Sequence, residues 1–286
     1  MSSFLLIGSG FAWVVCSSVF ATYCNSQFLV VFRAPYLLTV SRLVGSAIIG
    51  LIFNTCSKNR MTLVKFNKHF LVFFPSALFL LFANYLNSVS LQISGITLTY
   101  VVKACIPVAT VVYKLLEGHR FSIFVYISLV FTVLGVMLAA WSDMNFSWWG
   151  FSLAFLSMVF QTLLNVHSKK AMKKTGLTDG SQVQLIFAAI NSVILLTHSF
   201  ILAFSSTSDD ISFLRQLSEP HHVFLVTVTA FVYHSECKFI FDCEFLITST
   251  LDALSFLFSS LVQSLSFSVI DIARRKLLII VVLQLP

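Results

Sequence analysis

Long apolar runs separated by short polar stretches constrain this chain more than any other feature. With loose edges, the runs cover residues 4–22, 34–53, 69–87, 92–113, 121–141, 147–166, 182–204, 222–233, 245–263 and 266–283. Only 10% of the residues are charged, whereas an ordinary soluble domain has about 25%. Because most runs are long enough to cross a bilayer, we expect an all-α polytopic membrane protein of roughly eight to ten helices. The composition excludes a disordered chain, a coiled coil and an ordinary soluble enzyme.

Basic residues concentrate in every second loop. The loops after the second, fourth and sixth runs carry Lys58, Arg60, Lys65, Lys68, Lys114, Arg120, Lys169, Lys170, Lys173 and Lys174. The loops between them are acidic or nearly uncharged. The positive-inside rule therefore places the N-terminus and the basic loops in the cytosol. The net charge of +7 indicates membrane topology first and an anionic substrate second, and it does not indicate nucleic acid.

Lys103 indicates a function more strongly than any other residue. It lies near the middle of the 92–113 run and is flanked by apolar residues on both sides. An ammonium group at the centre of a membrane helix costs about 2.5–3.5 kcal/mol, so such a residue faces a water-filled cavity or a partner. Pro107 follows four residues later and is expected to loosen the helix at that depth. The alternative is a misplaced span from which Lys103 reaches the interface.

A similar pattern recurs near the end of the chain. Arg274 follows Ser268 by six residues, as Lys103 follows Thr97, and each cation precedes an apolar run. Two such cations facing one cavity suit an anion, because Arg binds phosphate through two parallel hydrogen bonds and Lys acts as a compact charge. The alternative is that Arg274 and the following Arg275 belong to a basic cluster that flanks a cytosolic helix end.

The repeated pattern predicts a duplicated architecture. We expect residues 1–141 to form one transmembrane half-repeat and residues 142–286 a second, incomplete one. If five spans lie between equivalent points, the halves have opposite orientations and form an inverted repeat. In transporters of this architecture the substrate binds near the middle of the membrane, between the halves.

Several motifs between residues 86 and 172 form a set. They are Asn87-Ser88-Val89-Ser90-Leu91, Thr99-Tyr100-Val101-Val102-Lys103-Ala104 with Pro107, Leu115 with Glu117-Gly118, Gly135-Val136, Asn145-Phe146, Gly150-Phe151, Asn165-Val166 and Ser168-Lys169-Lys170-Ala171-Met172. This set resembles the triose-phosphate/nucleotide-sugar translocators of the drug/metabolite transporter superfamily. The resemblance implies ten helices in an inverted five-plus-five repeat. It also implies antiport of phosphorylated sugars or nucleotide sugars, with phosphate or a nucleotide as the counter-substrate.

The resemblance also implies site residues. Carried over by position, Lys103, Arg274 and Arg275 bind phosphate, and Tyr100 and Thr99 line the same pocket. The chain departs from plastid triose-phosphate members at two positions, where Tyr100 replaces a His and Leu164 replaces an Arg of the sixth helix. Residues near 221–243 fit no helix of the family and are interpreted as an insertion, and we expect the tenth helix of the family to be absent.

These observations favour a secondary antiporter over the alternatives. A truncated paralogue without transport activity, or a membrane receptor or scaffold, remains open. We expect no enzyme activity, because His198 and Asp271 lie near different spans. We expect no cofactor and no metal, since the cysteine and histidine spacing matches no standard zinc site. Contacts with membrane lipid are expected, and homodimerisation is left open. The Golgi or endoplasmic reticulum membrane is preferred to the plastid envelope.

Overall fold

The chain forms a bundle of helices in the part that the structure describes. The computed structural model describes residue 16, residues 20–56, 63–141, 146–177, 179–205 and 223–235, and residue 237. These residues form eight helices and no β-strand: α1 (20–32), α2 (Pro35–Cys56), α3 (Leu63–Lys103), α4 (Ile106–Leu116), α5 (Ile123–Trp141), α6 (Trp148–Thr175), α7 (Gly180–Ser205) and α8 (Val223–Ser235). Four of them are long and apolar enough to cross a membrane, namely α2, α6, and most of α3 and α7. The predicted all-α polytopic membrane class is confirmed.

Four of the eight described helices follow the predicted apolar runs closely. Helices α2, α5, α7 and α8 begin and end within about three residues of the predicted edges. The first helix differs, because it continues to residue 32 and the chain turns at Arg33, whose φ is 49°. Asn25 in this extension is buried, so polar residues that suggested a loop instead face the bundle. The predicted runs at 245–263 and 266–283 lie outside the described residues.

Helices α3 and α6 form the largest helix pair of the described bundle. The Ser157 hydroxyl donates to the Ala83 carbonyl at 2.8 Å, and the Ser90 hydroxyl donates to the Gly150 carbonyl at 3.0 Å. Residue numbers fall along α3 as they rise along α6, so the two helices are antiparallel. Gly150 permits the close approach, since a Cβ there would lie 2.8 Å from the Cβ of Ser94. Small residues let helices approach in this way within membranes.

Helices α2 and α7 pack against each other in the same antiparallel manner. The Tyr36 hydroxyl donates to the Leu195 carbonyl, and the Ser192 hydroxyl donates to the Leu43 carbonyl, both at 3.3 Å. Leu43 belongs to a buried apolar cluster that also contains Phe73 of α3 and residues of α6 and α7. This cluster joins the two antiparallel pairs into one core.

The helix directions bring the basic loops to one end of the bundle. The C-terminal ends of α2, α4 and α6 point the same way, and an ion pair there joins α4 to α6 through Glu117 and Lys170. Lys114 also lies 3.6 Å from the Glu117 carboxylate. The hydrogen bond from Lys170 is the main cause that lowers the pKa of Glu117 below its ordinary value. That this end faces the cytosol stays a prediction.

Helix α8 lies against both α2 and α3. A Cβ at Gly45 would be 2.3 Å from the Ala230 Cβ, so α2 and α8 are in close contact there. On the other side, the Asn84 amide donates to the Tyr233 hydroxyl at 3.0 Å. The helix therefore packs inside the bundle, although it lies in the stretch near 221–243 that the sequence suggests is an insertion. The insertion and the division into two half-repeats stay predictions.

The contact between Gly45 and Ala230 can be tested by exchanging the two residues. Gly45→Ala should lower the melting temperature in detergent, because the new Cβ overlaps that of Ala230. Ala230→Gly added to it should restore most of the loss, since the space is then vacated. Gly135→Ala is the control, because a Cβ at Gly135 meets nothing within 4 Å. Equal losses in the single and double variants would contradict this packing of α8.

The ion pair at the basic end predicts a pH dependence. Because the pKa of Glu117 is lowered in the folded protein, its stabilisation is present above the ordinary carboxyl pKa. It is lost as the pH falls through the lowered value. The difference in melting temperature between the wild type and Glu117→Gln should therefore be positive at neutral pH and vanish in acid. A difference that persists in acid would mean that Glu117 acts through something other than its charge.

Candidate functional site

The chain reverses direction at Gly95, inside the element α3. Gly95 has φ 75° and ψ −173°, a conformation that side-chain-bearing residues rarely adopt. Ser90 and Thr99 are nine residues apart, yet their hydroxyl oxygens are 3.0 Å apart. In a continuous helix that separation would span about 13 Å along the axis. Residues 63–94 and 96–103 are therefore two antiparallel arms, and the loop expected between the runs 69–87 and 92–113 is instead helical.

A second interruption follows directly after Lys103. Residues 104 and 105 form a turn, and α4 starts at Ile106, with Pro107 as its second residue. Proline has no N–H, so Pro107 cannot donate the helical hydrogen bond to the Lys103 carbonyl four residues earlier. The predicted loosening of the helix at this depth is confirmed. Discontinuous helices of this kind commonly form ion and substrate sites in transporters.

Lys103 and Tyr100 lie on the same face of the short arm that precedes the break. The Lys103 ammonium nitrogen is 5.5 Å from the centroid of the Tyr100 ring. Both side chains are half-buried. Thr22 of α1 donates from its hydroxyl to the Tyr100 hydroxyl at 3.0 Å. The arm therefore presents a cation and an aromatic hydroxyl on one face, a combination that suits an anion that also carries hydroxyl groups.

Thr99 is placed differently from Tyr100 and Lys103. It is fully buried, and its hydroxyl oxygen lies 2.9 Å from the Gly95 carbonyl oxygen and 3.0 Å from the Ser90 hydroxyl oxygen. Its single proton is donated to one of these two acceptors, since the Ser90 proton goes to the Gly150 carbonyl. These contacts hold the turn at Gly95. In this structure Thr99 positions the arm that carries Lys103, and its predicted place in the pocket wall stays a prediction.

Arg42 is a second buried cation, one that the sequence analysis did not single out. It lies in α2 with 7% of its surface exposed, and its guanidinium carbon is 4.4 Å from the centroid of the Tyr233 ring. Its Nε and Nη1 atoms have no hydrogen-bond partner among the described residues. The signal was present, because Arg42 interrupts an apolar run as Lys103 does.

Polar side chains surround this part of the bundle. The Gln184 amide donates to the Ser46 hydroxyl at 3.1 Å, and Ser46 also contacts the Nδ1 atom of His234 at 3.0 Å. Both amide atoms of Asn191 are buried without a partner among the described residues. The interior between α2, α7 and α8 is therefore lined by polar side chains, near the N-terminal end of α7 and the C-terminal end of α8.

The structure places three of the five predicted site residues. It brings Lys103 and Tyr100 together and puts Thr99 on the turn, whereas Arg274 and Arg275 lie outside the described residues. Leu164, which stands where the resemblance implies an arginine, is 2% exposed and packs in the apolar core. Arg42 and Lys103 both lie within apolar helical segments, Arg42 buried and Lys103 half-buried.

Comparisons with known proteins relate this chain to a family of membrane transporters. The sequence profile of the Triose-phosphate Transporter family matches residues 6–284. The chain is 29% identical over 169 residues to the chloroplastic xylulose 5-phosphate/phosphate translocator of Arabidopsis thaliana, covering 59% of this chain and 40% of that protein. It is 25% identical over 187 residues to the chloroplastic triose phosphate/phosphate translocator of Pisum sativum, covering 65% and 44%.

A third relative has a similar extent of similarity. The chain is 31% identical over 173 residues to the chloroplastic glucose-6-phosphate/phosphate translocator 2 of Arabidopsis thaliana, covering 59% of this chain and 44% of that protein. The chain thus spans less than half the length of each of these three relatives. By their names, all three exchange a sugar phosphate with phosphate.

The role of Thr99 in holding the turn predicts a loss of stability on substitution. Thr99→Val removes the contact with Ser90 and should destabilise the protein by about 1 kcal/mol. Thr110→Val is the matched control, because the Thr110 hydroxyl bonds only the carbonyl four residues earlier in its own helix, at 2.9 Å. Thermal unfolding in detergent measures both. A similar loss in the two variants would show that the contact across the turn contributes nothing.

Proposed function

Because the chain belongs to the triose-phosphate transporter family, we propose that it exchanges phosphorylated sugars for inorganic phosphate across an organelle membrane. The observation that carries the proposal is the position of Lys103, half-buried beside Tyr100 at the end of a broken membrane helix. The names of the relatives, which are translocators of sugar phosphates and phosphate, indicate the same class of anion.

The chemistry of the proposed site follows from desolvation. A phosphate that enters a low-dielectric interior loses its hydration and must regain it from fixed donors and positive charge. Lys103 supplies a charge with three donors, and the Tyr100 hydroxyl lies on the same face. Arg274 and Arg275 are proposed to add further positive charge from the second half-repeat.

The same electrostatics account for exchange in place of net transport. Cations that face one cavity repel each other when it is empty, so the empty carrier resists the rearrangement that closes the cavity. A bound anion removes this repulsion and allows the halves to move around the occupied site. Each passage across the membrane then requires a bound anion in both directions, which is antiport.

The substrate and the membrane are proposed from the relatives. We prefer phosphorylated sugars to nucleotide sugars as the substrate, because the relatives are named as translocators of sugar phosphates. We prefer the plastid envelope to the Golgi or endoplasmic reticulum membrane, because these relatives are chloroplastic. Uptake of a panel of sugar phosphates and nucleotide sugars into phosphate-loaded liposomes would separate these substrates. A chain that exchanges none of them would be a non-transporting paralogue or a receptor.

Lys103 should be essential for this exchange. Lys103→Ala is expected to abolish phosphate exchange while the protein stays inserted and folded, because the anion loses its fixed counter-charge. The measurement is the initial rate of labelled phosphate uptake into liposomes that contain matched amounts of protein and internal phosphate.

The control variant is Lys174→Ala, which removes the same charge from an exposed position at the end of α6. It should exchange phosphate at the wild-type rate. Lys103→Arg should retain partial activity, since the charge is kept and the geometry is altered. Near-normal exchange by Lys103→Ala would remove Lys103 from the mechanism.

A further inference from the structure

We propose that Arg42 is a second anion-binding residue, which holds the phosphoryl group of the transported anion together with Lys103. This inference rests on the proposed function and names a residue of the same site. It is carried by three observations: the burial of Arg42, its Nε and Nη1 atoms that have no hydrogen-bond partner among the described residues, and its position relative to Lys103.

The state of the guanidinium group is the first reason. Arg42 is 7% exposed, and Arg stays charged in proteins. A buried cation without a compensating anion is strongly unfavourable. The Tyr233 ring stacks against one face of the guanidinium group, which provides a modest cation–π attraction but no acceptor for the N–H donors. The Nε and Nη1 donors, without partners in the described residues, are suited to the oxygen atoms of a phosphoryl group.

The depth of the two cations in the bundle is the second reason. The Thr39 hydroxyl of α2 contacts the Ser88 hydroxyl, and the Thr99 hydroxyl of the short arm contacts the Ser90 hydroxyl. Ser88 and Ser90 are two residues apart in α3, so Thr39 and Thr99 lie at nearly the same depth in the bundle. Arg42 lies three residues beyond Thr39, or about 4.5 Å, and Lys103 lies four residues beyond Thr99, or about 6 Å. Both steps lead toward the basic end, because α2 and the short arm each run antiparallel to residues 63–94. The two cations are therefore at the same depth to within about one helical turn.

Their lateral arrangement is the third reason. Leu38 of α2 belongs to a small apolar cluster against which Tyr100 packs. Arg42 follows Leu38 by four residues and Lys103 follows Tyr100 by three, so each cation lies one turn further along the same helix face. The apolar cluster thus covers one side of the region that Arg42 and Lys103 both border.

An anion between the two cations would offset both charges. Lys103 would act as a mobile point charge, while Arg42, held by Tyr233, would fix the orientation of the phosphoryl oxygens. Without the anion, two like charges remain at one depth, which is the condition that makes an empty carrier reluctant to close.

The test uses the purified full chain and inorganic phosphate as the probe. Arg42→Gln should lose the phosphate-dependent rise in melting temperature that the wild type shows, and its KM for phosphate exchange should rise roughly 10- to 100-fold. In the absence of phosphate, Arg42→Gln should be at least as stable as the wild type, because an uncompensated buried charge has been removed. Arg42→Lys keeps the charge and should have an intermediate KM.

Arg120→Gln is the matched control, because it makes the same chemical change at an exposed position between α4 and α5. It should retain the wild-type response to phosphate in both measurements. An internal carboxylate partner for Arg42 would produce the opposite pattern. Arg42→Gln would then be less stable without phosphate and would keep the phosphate-dependent shift, which would overturn the proposal.

The two proposals fail in different ways. A wild type that phosphate stabilises but that exchanges no anion would refute the transport function and leave the Arg42 site standing. Exchange with an unchanged KM in Arg42→Gln would refute the site and leave transport standing. A wild type that phosphate does not stabilise would also overturn the site.

Discussion

The contact between Ser90 and Thr99 is the interaction on which the arrangement of the site depends. A membrane interior offers no water to a chain that reverses direction, so protein groups must satisfy the polar atoms at the turn. The Ser90 hydroxyl does this for both arms of α3 and for α6, since it contacts Thr99 and donates to the Gly150 carbonyl. This contact therefore fixes the position of the short arm along the axis of α3, and with it the depth of Lys103.

That depth has an electrostatic consequence, because a second helix brings another cation to the same level. Helix α2 is set against α3 by its own hydroxyl contact, from Thr39 to Ser88. The contacts Thr39–Ser88 and Ser90–Thr99 thus set the depths of Arg42 and Lys103, and the alignment needs no direct contact between the two cations. Weak hydroxyl hydrogen bonds are sufficient for this purpose, since each is worth only about 1 kcal/mol but each has a specific register.

Sequence periodicity predicted the helices better than it predicted their interruptions. Apolar runs predicted the edges of α2, α5, α7 and α8, and Pro107 predicted the break, because both depend on local chemistry. The reversal at Gly95 was not predicted, since the polar stretch before it suggested a loop, whereas those serines and asparagines bond neighbouring helices. Arg42 was overlooked although it met the criterion applied to Lys103. Its importance depends on Tyr233, which is distant in sequence and lies on a helix too short to be read as a span.

The ion pair between Glu117 and Lys170 at the basic end of the bundle is too weak to control the movement of such a carrier. Glu117 follows α4 and Lys170 lies on α6, so they belong to different predicted halves, and a separation of the halves at this end must break their contact. Both groups are exposed to solvent, where ion pairs are weak and screened by salt. Such a pair can bias one state only slightly. If the halves move as proposed, the larger energy difference between the states must come from the interior cations, and therefore from whether an anion occupies the site.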